Sequence, residues 1–530
     1  VNDPESEVPW QRLDVRTIAA SVLALTAVLL GIGVVVAVGL LLVGVSPGWV
    51  LLWVGGGVVV LSALIAATEW IRLRTTTYRL DATRIERRVR FLGSSRTSLA
   101  RERIRNVELS ADLVQRRLGI AEVKLATADG GGERFQLQAL DRAVADALRT
   151  ELLGERATAE TGILARIDWG WLRYAPVSLA TGAIGLAAYG VVFQVFDWFQ
   201  AVPVLIAWLG TSAGAIPLVV LLPVLVVGAI VIGAIGTLAV YLEGWWGYRL
   251  GRHEDGSLDL RRGLLVSRST VFDGDRLRGV TLHEPLGLRR AGGARLDVIA
   301  VGVKAPEGDQ QNAQSPALVP AAPRTVGAEV AGTILGAPVP DALRSHPPAA
   351  RRKRFLRAGL LTAAGVLLAV IPALFMPTLW WIPVLTAVVL GLVTAVLAQD
   401  NSRGLGHQVT DRHVVLRKGS LFRRTDVLGR DDVLGWNLTR SPFQRRAGLG
   451  TVVAASAGGS GAFRLPDVDA EQARAMMTSA GTVWEHLQVG EPGLPAEASP
   501  RSGTIQVSAG NARGRRPWTV ERDGAAPRDR

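Results

Sequence analysis

Two hydrophobic patterns alternate along the chain, and the alternation occurs three times. Uncharged apolar stretches run between Arg16 and Glu69, from Ala358 to Gln399, and between Arg173 and Glu243, the last interrupted only by Asp197. A bilayer core accommodates about 20 apolar helical residues, so each stretch is long enough for two spans. The pattern predicts six transmembrane helices in three hairpins, at about 18–43, 49–70, 174–196, 217–242, 357–375 and 379–398. After each pair, apolar and polar residues alternate at period two, as half-buried antiparallel strands require.

The strand-patterned segments share a spacing. Ile104 and Arg117, Leu277 and Arg290, and Val433 and Arg446 stand at the same separation. Each arginine closes an Arg-Arg pair (Arg116-Arg117, Arg289-Arg290, Arg445-Arg446), and a glycine follows two residues on (Gly119, Gly292, Gly448). A fixed internal spacing marks one unit copied rather than one large domain. The expected layout is a polar arm at 1–17, helices 1–2 at 18–70, module one at 75–153, helices 3–4 at 174–242 and module two at 248–345. Helices 5–6 at 357–398, module three at 407–488 and a disordered basic tail at 489–530 complete it.

Within module one, Tyr78-Arg-Leu opens a strand and Arg84-Ile-Glu-Arg-Arg-Val-Arg alternates. Asp129-Gly-Gly-Gly reads as a hairpin turn. Ala139 to Leu153 reads as a closing helix with Leu140, Val144, Ala147, Leu148 and Leu152 on one face. Module two begins again with Tyr248-Arg-Leu, and its segment 304–325, rich in Pro, Ala and Gln, reads as a disordered loop. Module three ends in a helix from about Asp469 to Leu487.

Composition refines this layout. Mean hydropathy is +0.27, cysteine is absent, and the net charge is +13. The first apolar stretch is too long for a cleaved signal and is followed at once by a second span. Lysines and arginines avoid the connections inside the hairpins, near Ser46-Pro47, 197–216 and 372–382. The positive-inside bias therefore puts the N-terminus, all three modules and the C-terminus in the cytoplasm of a cell with an inner or plasma membrane. Part of the charge is thus a topology signal rather than a ligand site.

Tyr-x-Leu, a strand ending in glycine, the Arg-x-Thr strand, Arg103-Ile-Arg-Asn-Val107 and Gln115-Arg-Arg-Leu-Gly-Ile-Ala121 resemble the bacterial pleckstrin-homology-like, membrane-flanked domain family. The resemblance covers nearly the whole chain apart from the arm, the insertion and the tail. It is best in module one; module three has His407 where the tyrosine is expected. The resemblance implies a polytopic α-helical membrane protein with three α+β PH-like cytoplasmic modules, each a bent antiparallel sheet plus a C-terminal helix. It implies no ligand, cofactor or catalytic residue, and it points to envelope stress or resistance to membrane-active peptides.

The arginine pairs Arg116, Arg117, Arg289, Arg290, Arg445 and Arg446 are the candidate site residues. They read either as guanidinium groups holding lipid phosphates at the inner leaflet or as solvated charged turns set by the positive-inside bias. The histidines (His253, His283, His346, His407, His413, His486) are scattered, and no Walker, dinucleotide or nucleophile-elbow pattern is present. The expectation is a non-enzymatic scaffold without metal or cofactor. Its partners would be the membrane, anionic phospholipids, or itself or another membrane-flanked PH-like protein. Nucleic acid is not among them, since aromatic interleaving is lacking. The alternative is a transporter or channel with PH-like regulatory domains. It is disfavoured because no span holds an ionisable group at mid-depth: Glu69, Glu243 and Asp400 sit at span ends.

Overall fold

The computed structural model describes residues 9–42, 44–81, 83–90, 94–101, 104–127, 135–153, 162–177, 179–198, 218–303 and 317–479. Among the described residues, five helices are long and apolar enough to cross a membrane: Arg16–Leu41, Pro47–Thr75, Pro223–Trp245, Pro348–Phe375 and Pro377–Gly404. At most 22% of any of their most apolar windows is buried. An exposed apolar surface of that extent belongs in lipid rather than water. The expected helix at 174–196 is broken. Residues Trp169–Val177 form a 3-10 segment containing Pro176, and Thr181–Val191 follows at a 69° bend. Proline lacks the N–H an α-helix needs and clashes with the preceding turn, so a straight span cannot pass through it.

Close helix contact is clearest in the second hairpin. A Cβ on Gly185 would stand 1.8 Å from Ala229 O, and one on Gly233 1.9 Å from Thr181 O. Small residues let backbones approach in this way. Gly55-Gly-Gly is no such surface. Gly56 and Gly57 face open space, and Gly55 ends the π-helical turn Leu51–Gly55.

Module one supplies β1 (Gln11–Arg12), β2 (Thr76–Leu80), β3 (Arg84–Arg90), β4 (Ser94–Ala100), β5 (Ile104–Asp112), β6 (Ile120–Thr127), β7 (Phe135–Asp141) and the helix Arg142–Leu153. Module two supplies β8 (Gly162–Arg166), β9 (Arg249–Arg252), β10 (Leu258–Arg262), β11 (Val266–Phe272), β12 (Leu277–Pro285), β13 (Gly293–Ala300), β14 (Ala317–Pro323) and the helix Arg324–Leu335. Module three supplies β15 (Gly406–Val409), β16 (His413–Lys418), β17 (Phe422–Gly429), β18 (Val433–Thr439), β19 (Leu449–Ser456), β20 (Ala462–Asp469) and the helix Ala470–Ser479.

Two sequence expectations need correction here, and one lies outside the described residues. The first closing helix starts at Arg142, because Leu140 belongs to β7; its buried face is Ala145 and Leu148, while Val144 is exposed. The last helix is described only to Ser479, and the tail lies outside the described residues. Finally, the segment 304–325 is not all loop. Residues 304–316 lie outside the described residues, but Ala317–Pro323 is a buried strand and Arg324 starts a helix. Its prolines suit it because β14 is the edge of its sheet, where a missing N–H costs no ladder bond.

The sheets do not follow the module boundaries. The order β7-β6-β5-β11-β10-β9-β8 joins the second half of module one to the first half of module two. The order β14-β13-β12-β17-β16-β15 repeats this join between modules two and three. Two shorter sheets, β1-β2-β3-β4 and β18-β19-β20, stand at the ends of the series. Each module core is closed by its two half-sheets: Ile85 and Leu99 meet Val107, Leu125, Leu137 and Leu148 in the first. The second core takes Val415 and Val427 from module three, so the modules share apolar interior as well as strands.

Both ends of every hairpin meet. β1 pairs with β2 around the first helix pair, β8 with β9 around the second, and Arg344 bridges His407 around the third. Every helix pair therefore leaves and returns at one place in the β structure.

Candidate functional site

The arginine pairs lie in short connector helices, Leu113–Leu118, Leu286–Arg290 and Pro442–Arg446, each between the first two strands of a second half-sheet. Two of these helices begin with reciprocal capping boxes, Asp112 with Gln115 and Ser441 with Gln444. These side chains satisfy orphan N–H groups of the first turn. All three helices are followed by their glycine in the left-handed region, with φ of 72° at Gly119, 76° at Gly292 and 69° at Gly448. Side chains with a Cβ are strained there, so this glycine stops the helix and turns the chain into the next strand.

The members of the pairs divide in function. Arg116 donates from Nη2 to the Leu264 carbonyl of module two. Arg289 grips both carboxylate oxygens of Asp400, at 2.8 and 2.7 Å, and donates to the Ser420 carbonyl at 3.4 Å. Each thus fastens its own module to the next. Arg445 is exposed, and so are the second members Arg117, Arg290 and Arg446. The exposed arginines face outward; the structure does not gather all six into one site.

The fastening extends along both seams. Between modules one and two, β5 pairs with β11 from Asn106↔Phe272 to Asp112↔Val266. Arg149 donates to buried Asp259 at 3.1 Å, and Arg276 donates to the Ile104 carbonyl at 3.1 Å. Between modules two and three, β12 pairs with β17 from Gly279↔Leu428 to Pro285↔Phe422. There the Thr281 hydroxyl donates to Asp426 at 2.9 Å and Arg278 reaches Asp432 at 2.6 Å. Asp400 also accepts from the Ser420 hydroxyl at 2.6 Å and from Arg423 at 3.4 Å.

A second feature lies where the third hairpin meets module three. A cavity of about 630 Å³ has Leu361, Leu397 and Leu421 on its apolar side and Arg354, Arg357 and Lys418 on its cationic side. Arg354 is neutralised by Asp467, which also accepts from Lys353 and Gln444. Burial lowers the Lys418 ammonium pKa, and this group donates to the Arg464 carbonyl at 2.9 Å. Arg357 is the exposed cation of the three. The Arg351-Arg-Lys-Arg354 run before the fifth expected span was the available sequence signal for this site.

A profile of the bacterial PH domain matches residues 15–156, 174–337 and 359–481. The chain belongs to the bacterial PH domain family. The first two matches each take in a helix pair with the module that follows, so the copied unit of this PH-domain protein is hairpin plus module. The merged seams are then joins between successive PH domains. No curated protein and no solved structure matches the chain.

Proposed function

We propose that this PH-domain protein is a non-enzymatic, multi-pass scaffold of the inner or plasma membrane. Six spans carry three PH domains on the cytoplasmic face, with both termini on that side. The carrying observation is that each hairpin begins and ends in the same β structure while successive domains join sheet to sheet. An even number of crossings per hairpin is the arrangement compatible with those joins. The positive-inside bias then sets the side. Reporter fusions at Ser46, Gly210 and Pro377 should read outside, and fusions at Gly131, Gly302 and Gly459 inside. A single domain found outside defeats this reading.

Contact with anionic headgroups fits the same architecture, and the cavity beneath module three is the observation that favours it. Its apolar wall suits an acyl chain, and Arg357 suits a phosphate, worth about 1 kcal/mol for a cation near an anionic leaflet. Protein in nanodiscs rich in anionic lipid should retain that lipid through purification, and Arg357→Ala should release part of it. Unchanged retention removes the headgroup component and leaves the scaffold standing. Solute flux in proteoliposomes separates scaffold from transporter. The physiological setting of this reading, resting on the family resemblance, is envelope stress or resistance to membrane-active peptides.

A further inference from the structure

The join between PH domains has two halves, and the first and third domains each carry one half that no described strand completes. Inside the chain, the last strand of a first half-sheet (β11, β17) pairs with the first strand of the preceding second half-sheet (β5, β12). The corresponding end strands are β4 and β18, both outermost in their sheets among the described residues. We infer that β18 of one copy of this chain pairs with β4 of a second copy, repeating the internal seam and joining chains head to tail.

The register of that pairing follows from the internal ones. Leu99, Phe272 and Leu428 occupy one position, because each is buried opposite a buried aliphatic: Ile85, Leu258 and Val414. In the internal seams Phe272 faces Asn106 and Leu428 faces Gly279. The repeat spacing makes Gly435 the third member of that set, so Leu99 faces Gly435 and Thr97 faces Asn437. Thr97 and Asn437 then fall where the internal seams set Thr270 against Glu108 and Asp426 against Thr281, polar pairs in every case.

Two further observations point to a missing partner of this kind. A Cβ on Gly279 would stand 2.0 Å from the Val427 carbonyl, so the second seam admits only glycine at this place, where the first seam has Asn106. Gly435 holds the same place on β18, yet a Cβ there meets nothing within 4 Å. Arg445 repeats the pattern: it is exposed where Arg116 and Arg289 reach the following domain. An unpaired strand edge is a ready template for another chain. Here the hairpins hold both copies in one bilayer with one orientation. A head-to-tail contact of this sort is heterologous, closing into a ring or extending as a row.

The inference rests on the scaffold reading, because both copies must present their domains to the same side. The native chain has no cysteine, so introduced ones report without background. Full-length chains carrying Thr97→Cys and Asn437→Cys, separately tagged and co-expressed, are oxidised in native membranes. A reducible band of two-chain mass containing both tags is expected. Gly435→Val in the Asn437→Cys chain should lower its yield by about tenfold, equivalent to about 1.4 kcal/mol, while leaving the thermal midpoint of the unlinked chain unchanged. The pair Thr97→Cys with Leu434→Cys, out of register, should link poorly. No mixed product, equal linking of the two pairs, or a Thr97→Cys/Asn437→Cys chain that only closes on itself would overturn the inference. The fusion results are independent of this outcome, so a failed assembly and a failed topology are told apart.

Discussion

Replacing Gly279 by alanine probes the join between the second and third PH domains at its tightest point. The new Cβ would stand 2.0 Å from Val427 O and 3.0 Å from Leu428 Cα, both backbone atoms. Neither can rotate away as a side-chain tip would, so β17 must retreat. Gly279 also has φ of 154°, which a residue with a Cβ rarely adopts. A retreat at this end of the seam breaks roughly two or three ladder hydrogen bonds, each with a net worth of about 1 kcal/mol. The expected loss is therefore about 2–3 kcal/mol, with strain at φ included in its upper part. In detergent, the midpoint followed by tryptophan fluorescence should fall by roughly 5 °C, and protease should cut between modules two and three sooner. Gly435→Ala is the matched control. Its Cβ meets nothing, so stability should stay within about 0.5 kcal/mol of the parent. Equal midpoints for the parent and Gly279→Ala, with unchanged proteolysis, would refute a β12·β17 seam of this closeness.

Asp400→Ala should cost about 2–3 kcal/mol, because it leaves the part-buried Arg289 and Arg423 without their carboxylate. A double-mutant cycle with Arg289→Ala should show coupling above about 1 kcal/mol; strict additivity would contradict the clamp. Asp297→Ala should cost about 3–5 kcal/mol, since buried Arg295 loses both of its carboxylate bonds at 2.9 and 3.1 Å; a loss under about 1 kcal/mol, read by denaturant unfolding, would count against the pair. Stability should also fall on mild acidification. Burial first, then the His407 imidazole and the Arg354 guanidinium, push the His346 pKa down from 6.5 to about 3. Between those values the unfolded chain binds a proton that the folded chain refuses. The His346 contribution is therefore complete above pH 6.5 and is lost toward pH 3, at up to about 1.4 kcal/mol per pH unit. His346→Gln should flatten the midpoint-versus-pH slope between pH 6.5 and 5; an unaltered slope would remove His346 as its source.

The repeat was legible in the sequence because copying preserved both the apolar pairs and the spacing from Ile104, Leu277 and Val433 to their arginines. Glycine after each pair was legible too, since a left-handed turn leaves few other residues. The joined sheets were not. Ser94–Ala100 and Val266–Phe272 read alike as strands, yet one is an edge and the other is paired on both sides. Period-two patterning reports which face of a strand is buried and is silent about which edge is taken. The same limit hid the roles of Arg116 and Arg289: their partners, Leu264, Ser420 and Asp400, are distant in sequence, and two are backbone carbonyls with no residue signature. β14 was obscured by composition, because proline marks loops except at a sheet edge. The cavity beneath module three needs Lys418 and Arg357 brought together across separate elements, which no local spacing reveals.

Successive PH domains are fused sheet to sheet, and one disulfide tests this in native membranes. Glu108 and Thr270 are cross-strand partners in the first seam, and antiparallel partners have Cα atoms about 4.5–5.5 Å apart, within disulfide reach. A chain with Glu108→Cys, Thr270→Cys and a specific protease site inserted in 154–161 is oxidised and then cleaved. The two fragments should stay linked until reductant is added. Fragments that separate without reductant would contradict the seam.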